Sequence, residues 1–326
     1  MSKENKKQHY IPQCYFRNFS ENNKSIWVYN KKNSKSYTQS IANIACEDDF
    51  YKLAEKVVDG KTITSANMLE KEFFANNLEI MYSDCLKLFA SKTKEWLSNQ
   101  NNNPVIDKKT KDIFSALIAL QYLRMPNIRE MYIDANKKVN NYAFELNKEL
   151  YKTQVDEKQY SLIDSITLEY DEELQSLEHF FIYGDQKLID SYQDQLVNKI
   201  WVFYVTEHNN VYTSDNPILT KPHIPNQPYL YSGFGMNGVE VIFPLSSSLL
   251  LTIWDEKYFT DKRKLDNTFC LINDKSLREY NLYQYMYSNY ETYSQNDNFN
   301  LIKAMLQIRG GKQYFAARPR IYVNGK

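Results

Sequence analysis

The chain has 326 residues, of which 43% are hydrophobic, so it is long enough to build the core of one large or two ordinary domains. Lysine and arginine together number 40, and aspartate and glutamate together also number 40, so the formal net charge is zero. A balanced charge gives no overall attraction to nucleic acid or to an anionic membrane, and any such site has to rest on a local patch. Composition therefore neither supports nor excludes a nucleic-acid substrate.

The cysteines and the hydrophobic runs bear on the cellular location of the protein. The four cysteines are far apart and form no Cys-x-x-Cys pair, which predicts reduced, packed thiols at Cys14, Cys46, Cys85 and Cys270. No apolar run approaches the roughly 18 residues that a transmembrane helix needs, and the N-terminus lacks the apolar region of a secretory signal. We expect a soluble, cytoplasmic protein without a membrane partner.

The beginning of the chain combines a dense motif with a hairpin. The stretch Gln8–Phe19 places a histidine, a proline, an arginine, an asparagine and several aromatics beside the N-terminus, where most chains are polar and loose. Residues 25–30 and 36–41 then predict two strands joined by a polar turn. The acidic run within 47–53 indicates a short third strand or a turn, and a solvated loop is the more common form of such a run than a metal site.

The middle of the chain predicts a helical body. Apolar residues recur at helical spacing from Ser65 onward until a polar break at 98–104. Residues 107–123 predict a helix that is apolar on several sides and therefore central, and Pro126 breaks or kinks the chain after it. Further helical segments are predicted at 128–151, 170–183 and 188–198.

A second group of strands follows. Residues 199–206 and 211–214 predict a hairpin, and 239–245 and 248–254 predict two more strands, so that the four form one antiparallel sheet. The long loop 221–238, rich in proline and glycine, is expected to lie over the sheet, where loops of that length are usually functional or mobile. Residues 274–295 and 299–308 predict C-terminal helices.

Together these segments predict an α+β fold, with a mainly helical body, an N-terminal β-hairpin and a later antiparallel sheet of about four strands. We expect a single integrated domain over 1–326. Its parts are the N-terminal motif and hairpin at 1–53, the helical region at 64–198, the sheet at 199–259 and the C-terminal helices at 274–308.

Four short segments resemble the bacterial domain-of-unknown-function family numbered 4238. They are Gln8–Phe19, Gln121–Pro126, Thr213–Pro217 and Phe243–Ser246. The resemblance covers most of the chain through the order and spacing of these segments. It implies no established activity, and so it supports the position of a site better than the chemistry of that site.

Three residues of these segments are candidates for catalysis. His9 has packed neighbours and titrates near neutrality, which suits a general acid or base, although it could instead cap a helix or bond a carbonyl. Arg124, at a helix end, could clamp a phosphate or carboxylate, or it could form a salt bridge between helices. Asp215 could orient His9 or bind a divalent cation, or it could be only the corner of a turn.

A second set of polar residues is predicted to bind ligand around these three. The set consists of Gln13, Arg17, Asn18, Gln121 and Asn216. His208 and His223, by contrast, are interpreted as turn and loop residues with a structural or solvated role, and His179 as a helix residue. The tyrosines from Tyr280 to Tyr293 could stack bases, but their spacing is more typical of a packed core.

Several common catalytic motifs are absent from the sequence. It has no zinc-ligand spacing, no nucleophile elbow and no phosphate-binding P-loop. The cofactor is therefore unknown, with Mg²⁺ or Mn²⁺ as open possibilities, and protein partners and oligomeric state are open as well.

These observations lead to two functional hypotheses. The first is a phosphodiester-cleaving, nuclease-like effector in bacterial defence or toxin biology, with a nucleic acid or a nucleotide as substrate. In this hypothesis His9 is the acid or base, Arg124 holds the phosphate and Asp215 orients His9 or binds a metal. The alternative is a non-catalytic module that binds an anionic ligand or a protein partner.

Overall fold

The structure is a computed structural model that describes residues 7–48, 50, 78–101, 103–170, 181–182, 184–225 and 233–315, together with the backbone of 56–58 and 61–63. The predicted start of the first long helix at Ser65, most of residues 49–55, and most of the helical segment 170–183 lie outside the described residues. Among the described residues, no helix is both long enough and apolar enough to cross a membrane.

The described helices include those of the predicted helical body, together with two short helices, at 13–16 and 160–165, that the sequence did not predict. They are α1 (Gln13–Phe16), α2 (Glu79–Asn99), α3 (Lys108–Leu123), α4 (Pro126–Lys152), α5 (Tyr160–Ser165), α6 (Gln186–Val197), α7 (Asp274–Tyr287) and α8 (Asn300–Ile308). Side-chain caps fix several starts, since Asp107 accepts a hydrogen bond from the Thr110 amide at 2.7 Å and Asn273 accepts one from the Ser276 amide at 2.9 Å. Pro126 lies in the first turn of α4, where a missing amide hydrogen costs nothing.

The strands form two larger sheets and two strand pairs. The strands are β1 (Lys7–His9), β2 (Ser25–Asn30), β3 (Lys35–Ser40), β4 (Cys46–Asp48), β5 (Lys56–Val58), β6 (Lys61–Ile63), β7 (Ile200–Val205), β8 (Thr213–Ser214), β9 (Leu219–Pro222), β10 (Val239–Ser246), β11 (Leu249–Trp254), β12 (Thr268–Leu271) and β13 (Glu291–Ser294). A five-stranded sheet has the order β12-β7-β11-β10-β9, antiparallel except for the parallel edge strand β12. A four-stranded sheet has the order β3-β2-β13-β8. The α+β fold class, the N-terminal hairpin and the later antiparallel sheet are confirmed.

Two predicted features are wrong, one strand pairing and the end of one helix. Residues 211–214 do not pair back with 199–206, because β8 pairs with β13 while β7 lies between β11 and β12. Residues 288–295 are not helical, because the chain leaves α7 at Ser288 and forms β13 against the N-terminal hairpin. In both cases a partner distant in sequence decided the pairing, and local pattern carries no signal for such a partner.

The main core lies between one face of the five-stranded sheet and the helices α2 and α3. Phe114 of α3 packs against Phe89, Trp201 and Phe243, with ring centroids 4.8–6.2 Å apart. The prediction that 107–123 is central is confirmed by its row of buried side chains. The opposite face of the sheet carries Leu219, Ile242 and Leu250, which pack against Leu277 of α7. The sheet is therefore covered by helices on both faces.

Candidate functional site

His9 lies at the end of β1, where it pairs in register with Cys46 of β4. Its ring is half-buried and bonds the backbone at Ile41 and Ala42. Burial, followed by the nearby Arg124 guanidinium, lowers the pKa of His9, so the imidazole is neutral at physiological pH. A neutral, oriented imidazole is a chemically suitable base, and the backbone contacts equally match the structural alternative for this residue.

Gln121 and Arg124 reach the same segment from the end of α3. They lie three residues apart on one helix face. Gln121 donates from Nε2 to the Tyr10 carbonyl at 2.9 Å, and Arg124 donates from Nη2 to the His9 carbonyl at 2.7 Å. Arg124 also lies 3.8 Å from a carboxylate oxygen of Glu79. The structure thus brings His9, Gln121 and Arg124 together, with the backbone of His9 and Tyr10 as the meeting point.

Asp215 and Asn216 follow β8 and hold a different part of the chain. The two carboxylate oxygens of Asp215 accept hydrogen bonds from three consecutive amides, those of Asn289 (2.7 Å), Tyr290 (2.7 Å) and Glu291 (3.0 Å). Burial raises the pKa of Asp215 to about 7 in spite of these three donors. Asn216 donates from Nδ2 to the Tyr287 carbonyl at 3.0 Å. Both side chains fasten the turn between α7 and β13.

The charge of Asp215 acts on Tyr10 of the opening segment. Burial, with the charge of Asp215 as the next largest cause, raises the pKa of the Tyr10 phenol far above its usual range. The oxygens of Asp215 and the bonded Nη2 of Arg124 are nevertheless directed at backbone groups, at the α7–β13 turn and at His9 respectively. The cavity beside Arg124, which Tyr82 also lines, has a volume of about 20 Å³, enough for about one water molecule.

The remaining predicted ligand-binding residues lie around α1. Asn18 donates from Nδ2 to the carbonyls of Cys14 (3.0 Å) and Tyr15 (3.2 Å), and so it closes the end of α1. Gln13 is half-buried in α1, and Arg17 is exposed at its C-terminal end. Tyr15 bonds the Pro244 carbonyl at 2.7 Å. This segment therefore ties the N-terminus to the Phe243–Ser246 segment of β10.

A roomier polar pocket lies on the other face of the five-stranded sheet. Lys221, Glu240 and Trp254 are direct neighbours on adjacent strands β9, β10 and β11, so their side chains leave the same face. The pocket between this face and the first turns of α7 has a volume of about 230 Å³. That volume admits a phosphate with part of the group it esterifies.

Glu240 is the centre of this pocket. It is fully buried in a strand that is otherwise almost entirely apolar, and a buried carboxylate is costly unless it is hydrogen-bonded. The His223 ring meets it with Nε2 at 2.8 Å from Oε2, and the Tyr280 hydroxyl donates to Oε1 at 2.6 Å. Burial, with the charge of Glu240 second, raises the pKa of Tyr280 far above its usual range, so Tyr280 stays a donor.

His223 is positioned to act on a molecule in the pocket. A carboxylate only accepts hydrogen bonds, so the Nε2–H of His223 donates to Glu240 and Nδ1 is left as the acceptor. The ring packs against Trp254 and Phe259, at 5.5 and 5.1 Å between centroids, yet 27% of the side chain is exposed. The imidazole is thus held in one orientation and remains accessible.

Two lysines line the pocket, together with the carboxylates of Glu240 and Glu279. Lys221 lies on β9, and Lys262 extends from a short 3₁₀ helix to place Nζ 4.3 Å from the centroid of the Trp254 ring. Within the described part of the chain, neither lysine has an ion-pair partner, although the exposed Glu279 also lines the pocket. The backbone at Asn273 and Ser276 adds the N-terminal turn of α7, an end of a helix that favours anions.

The sequence patterns did not indicate this site. They favour a structural or solvated role for His223 as a loop residue, and they do not single out Glu240 within the strand predicted at 239–245. The sequence does contain one signal, namely a single carboxylate near the start of an otherwise almost entirely apolar strand. Its partners His223 and Tyr280 are 17 and 40 residues away in sequence, respectively, and only the fold brings them together.

A metal ion has no evident ligand set in the residues searched. Across the described ranges, no group of three or more His, Cys, Asp or Glu side chains is arranged to hold a metal ion. The possibility of Mg²⁺ or Mn²⁺ at Asp215 stays a prediction.

The family model described as protein of unknown function (DUF4238) matches residues 7–298. The chain belongs to this family. The match spans all four segments on which the resemblance was based, so that assignment is confirmed, and the DUF4238 description carries no activity. No curated protein and no solved structure matches the chain.

Proposed function

We propose that this DUF4238 protein is a phosphodiester-cleaving, nuclease-like hydrolase whose general base is His223. The observation that carries the proposal is the His223–Glu240 pair, with 2.8 Å between Nε2 and Oε2, in a pocket that also holds Lys221 and Lys262. A base held by a carboxylate, beside cations that can bind a phosphate, is an arrangement that supports hydrolysis of an anionic ester.

Each residue of the pocket has a distinct role in the proposed hydrolysis. His223 takes a proton at Nδ1 from the attacking water, and the water oxygen forms the new bond to phosphorus. Lys221 and Lys262 neutralise the charge that builds on the phosphoryl oxygens. The bond from phosphorus to the departing oxygen breaks, and solvent protonates that oxygen. Glu240 keeps the ring of His223 in the required tautomer and stabilises its positive charge, while Tyr280 holds Glu240.

The sequence-based site at His9, Arg124 and Asp215 is a distinct hypothesis for the same reaction. The two can be separated by comparing His223→Ala with His9→Ala. Loss of turnover in His223→Ala, with unfolding temperature unchanged, supports the pocket beside Glu240. Loss of turnover only in His9→Ala, at unchanged stability, would move the chemistry back to the N-terminal segment.

The principal experiment is a cleavage assay with labelled RNA, labelled DNA, nucleotides and bis(p-nitrophenyl) phosphate, each with and without Mg²⁺ or Mn²⁺. We expect His223→Ala to lower the rate about 10²–10⁴-fold, the usual contribution of a general base. Glu240→Gln is expected to lower it about 10–100-fold, because it leaves the ring present but less well oriented. The matched pair Lys262→Ala and Lys264→Ala controls for charge, since Lys264 lies on the same 3₁₀ helix but does not line the pocket.

The alternative function is binding of an anionic ligand without turnover. The observation that favours it is the pair of lysines lining the pocket, Lys221 and Lys262, which would bind a phosphate whether or not it reacts. In that case Lys262→Ala weakens the affinity for nucleotides and no substrate is cleaved under any metal condition. Such a result would refute the hydrolase proposal.

The cellular setting follows from the same proposal. We propose a cytoplasmic effector in bacterial defence or toxin biology. The four free cysteines support only the compartment, since a reducing environment keeps thiols free. Induced expression in a bacterial host tests this directly. Growth arrest that His223→Ala abolishes supports a toxic nuclease, and growth arrest that persists in His223→Ala contradicts it.

A further inference from the structure

A second pocket lies on the other flank of α7. Its volume is about 500 Å³, within the size range of small-molecule sites, and its lining comes from the loop after β7, from α7 and from the start of α8. The side chain of Asn281 forms the floor of this pocket. Its Oδ1 accepts a hydrogen bond from the Tyr212 backbone amide and its Nδ2 donates one to the Asn210 carbonyl, both at 2.8 Å. The Tyr212 hydroxyl donates to the Asn298 carbonyl and joins the far wall.

The two pockets meet around the first turns of one helix. Residues 273, 276, 279 and 280 line the His223 pocket, and residues 274, 277, 278 and 281 line the second pocket. At about 100° per residue these sets lie on opposite flanks of α7. Lys275 falls on the exposed ridge between them, directed away from the sheet-facing Leu277. The surface path between the two pockets over the exposed side of α7 therefore passes Lys275.

The second pocket contains the groups that contact unpaired bases. The exposed Arg278 and His208 present planar groups on which a base can stack. The carboxamides of Asn298 and Asn300 offer both donors and acceptors, which match the edges of bases. Asp274 adds a carboxylate that can accept from an exocyclic amino group.

We propose that the substrate is single-stranded nucleic acid, which crosses the N-terminal turns of α7 with one base in the second pocket and the reacting phosphodiester beside His223. Lys275 contacts the backbone between the two. A helix is about 10 Å wide, so the strand crosses only that distance between the two pockets. This inference rests on the proposed function, because it names the substrate class for the same catalytic pocket.

The test compares a fluorescent 12-nucleotide single strand with the minimal diester bis(p-nitrophenyl) phosphate, using the full chain. We expect Arg278→Ala and Lys275→Ala to lower the ratio of affinity for the 12-mer to affinity for the diester at least fivefold. Lys275→Ala should also reduce the slope of log affinity against log salt by about 0.7, the value for one lost phosphate contact on a single strand. Lys303→Ala is the matched control, since Lys303 is an exposed lysine of α8 outside both pockets.

The possible outcomes separate this inference from the proposed function. If His223→Ala abolishes diester hydrolysis while Arg278→Ala and Lys275→Ala behave like Lys303→Ala, the nucleic-acid path is refuted and the hydrolase stands. If the 12-mer binds in an Arg278-dependent manner but nothing is cleaved, the path stands and the hydrolase fails. If a duplex of the same sequence binds more tightly than the single strand, the substrate class is wrong.

Discussion

Replacing Asp215 should reveal a large structural contribution from a residue that sequence reasoning placed in catalysis. Its carboxylate accepts hydrogen bonds from the amides of Asn289, Tyr290 and Glu291, at 2.7, 2.7 and 3.0 Å. These three amides form the turn that directs the chain from α7 into β13. Since β13 joins β2 to β8, the turn holds the four-stranded sheet together.

The magnitude follows from the three contacts. A hydrogen bond to a charged group contributes about 1.5–3 kcal/mol, so the gross contribution is about 5 kcal/mol or more. Burial raises the pKa of Asp215 to about 7, which means that removal of the carboxylate from water offsets part of that gain. We expect Asp215→Ala to lower the free energy of unfolding by about 3 kcal/mol at pH 7.5. Asp215→Asn should lose less, because its amide oxygen still accepts from some of the three amides.

Urea unfolding followed by tryptophan fluorescence measures this change. Asn216→Ala is the matched control, because Asn216 is the next residue, is also buried, and donates a single hydrogen bond, to the Tyr287 carbonyl at 3.0 Å. It should lower stability by about 1 kcal/mol. The reasoning is refuted if Asp215→Ala unfolds within 1 kcal/mol of the wild type, and a simultaneous loss of turnover would then assign Asp215 to the chemistry.

Three further predictions concern the motif and the pocket. Tyr15→Phe removes a buried hydroxyl that is hydrogen-bonded to Thr213 at 2.6 Å and to the Pro244 carbonyl at 2.7 Å, and it should lower the free energy of unfolding by about 1–3 kcal/mol. Tyr37→Phe is the control, because the Tyr37 hydroxyl has only long contacts, and it should change the free energy of unfolding little. Burial and Arg124 lower the pKa of His9 below 6.5, so the contribution of His9 to the free energy of unfolding is present above pH 6.5 and is lost as the pH falls through the lowered pKa. The wild type should therefore lose more stability than His9→Gln when the pH is lowered from 7.5 to 5, as urea unfolding at the two pH values would show. Gly238→Ala should destabilise the His223 loop, because Gly238 has a φ of +66°, the new Cβ would lie 2.6 Å from Ile224 Cγ1, and the Gly238 carbonyl accepts from the His223 amide. We expect a lower unfolding temperature and slower diester hydrolysis. A variant as stable and as active as the wild type would contradict this prediction.

Much of the secondary structure could be predicted because its causes are local. The helix at 107–123 has its cap in Asp107 and its stop in Pro126, and both are visible in the sequence. The hairpin of β2 and β3 likewise follows from two alternating segments and a polar turn. The pairing of β8 with β13 could not be predicted, because the paired residues are 78 and 80 positions apart and share no local turn.

The candidate site shows the same division. The proximity of Gln121 and Arg124 on one helix face follows from their spacing. That they bind the backbone carbonyls of Tyr10 and His9 depends on where α3 packs against β1. The interpretation of the tyrosines of α7 as mainly packed residues agrees with the structure, in which the Tyr283 hydroxyl donates to the Thr220 carbonyl at 2.8 Å. The bond from Tyr280 to Glu240 gives one of them a further role.

The sequence by itself determined the α+β class, the family and the segments that hold the N-terminus in place, because helical period, strand alternation, caps and turns act over a few residues. The tertiary structure alone decided which side chains meet. It joined Gln8–Phe19 to the end of α3, and it fastened Asp215 to the turn before β13. It also placed His223, Glu240 and Tyr280 around one pocket, because a buried carboxylate takes its partners from whatever elements pack against its strand.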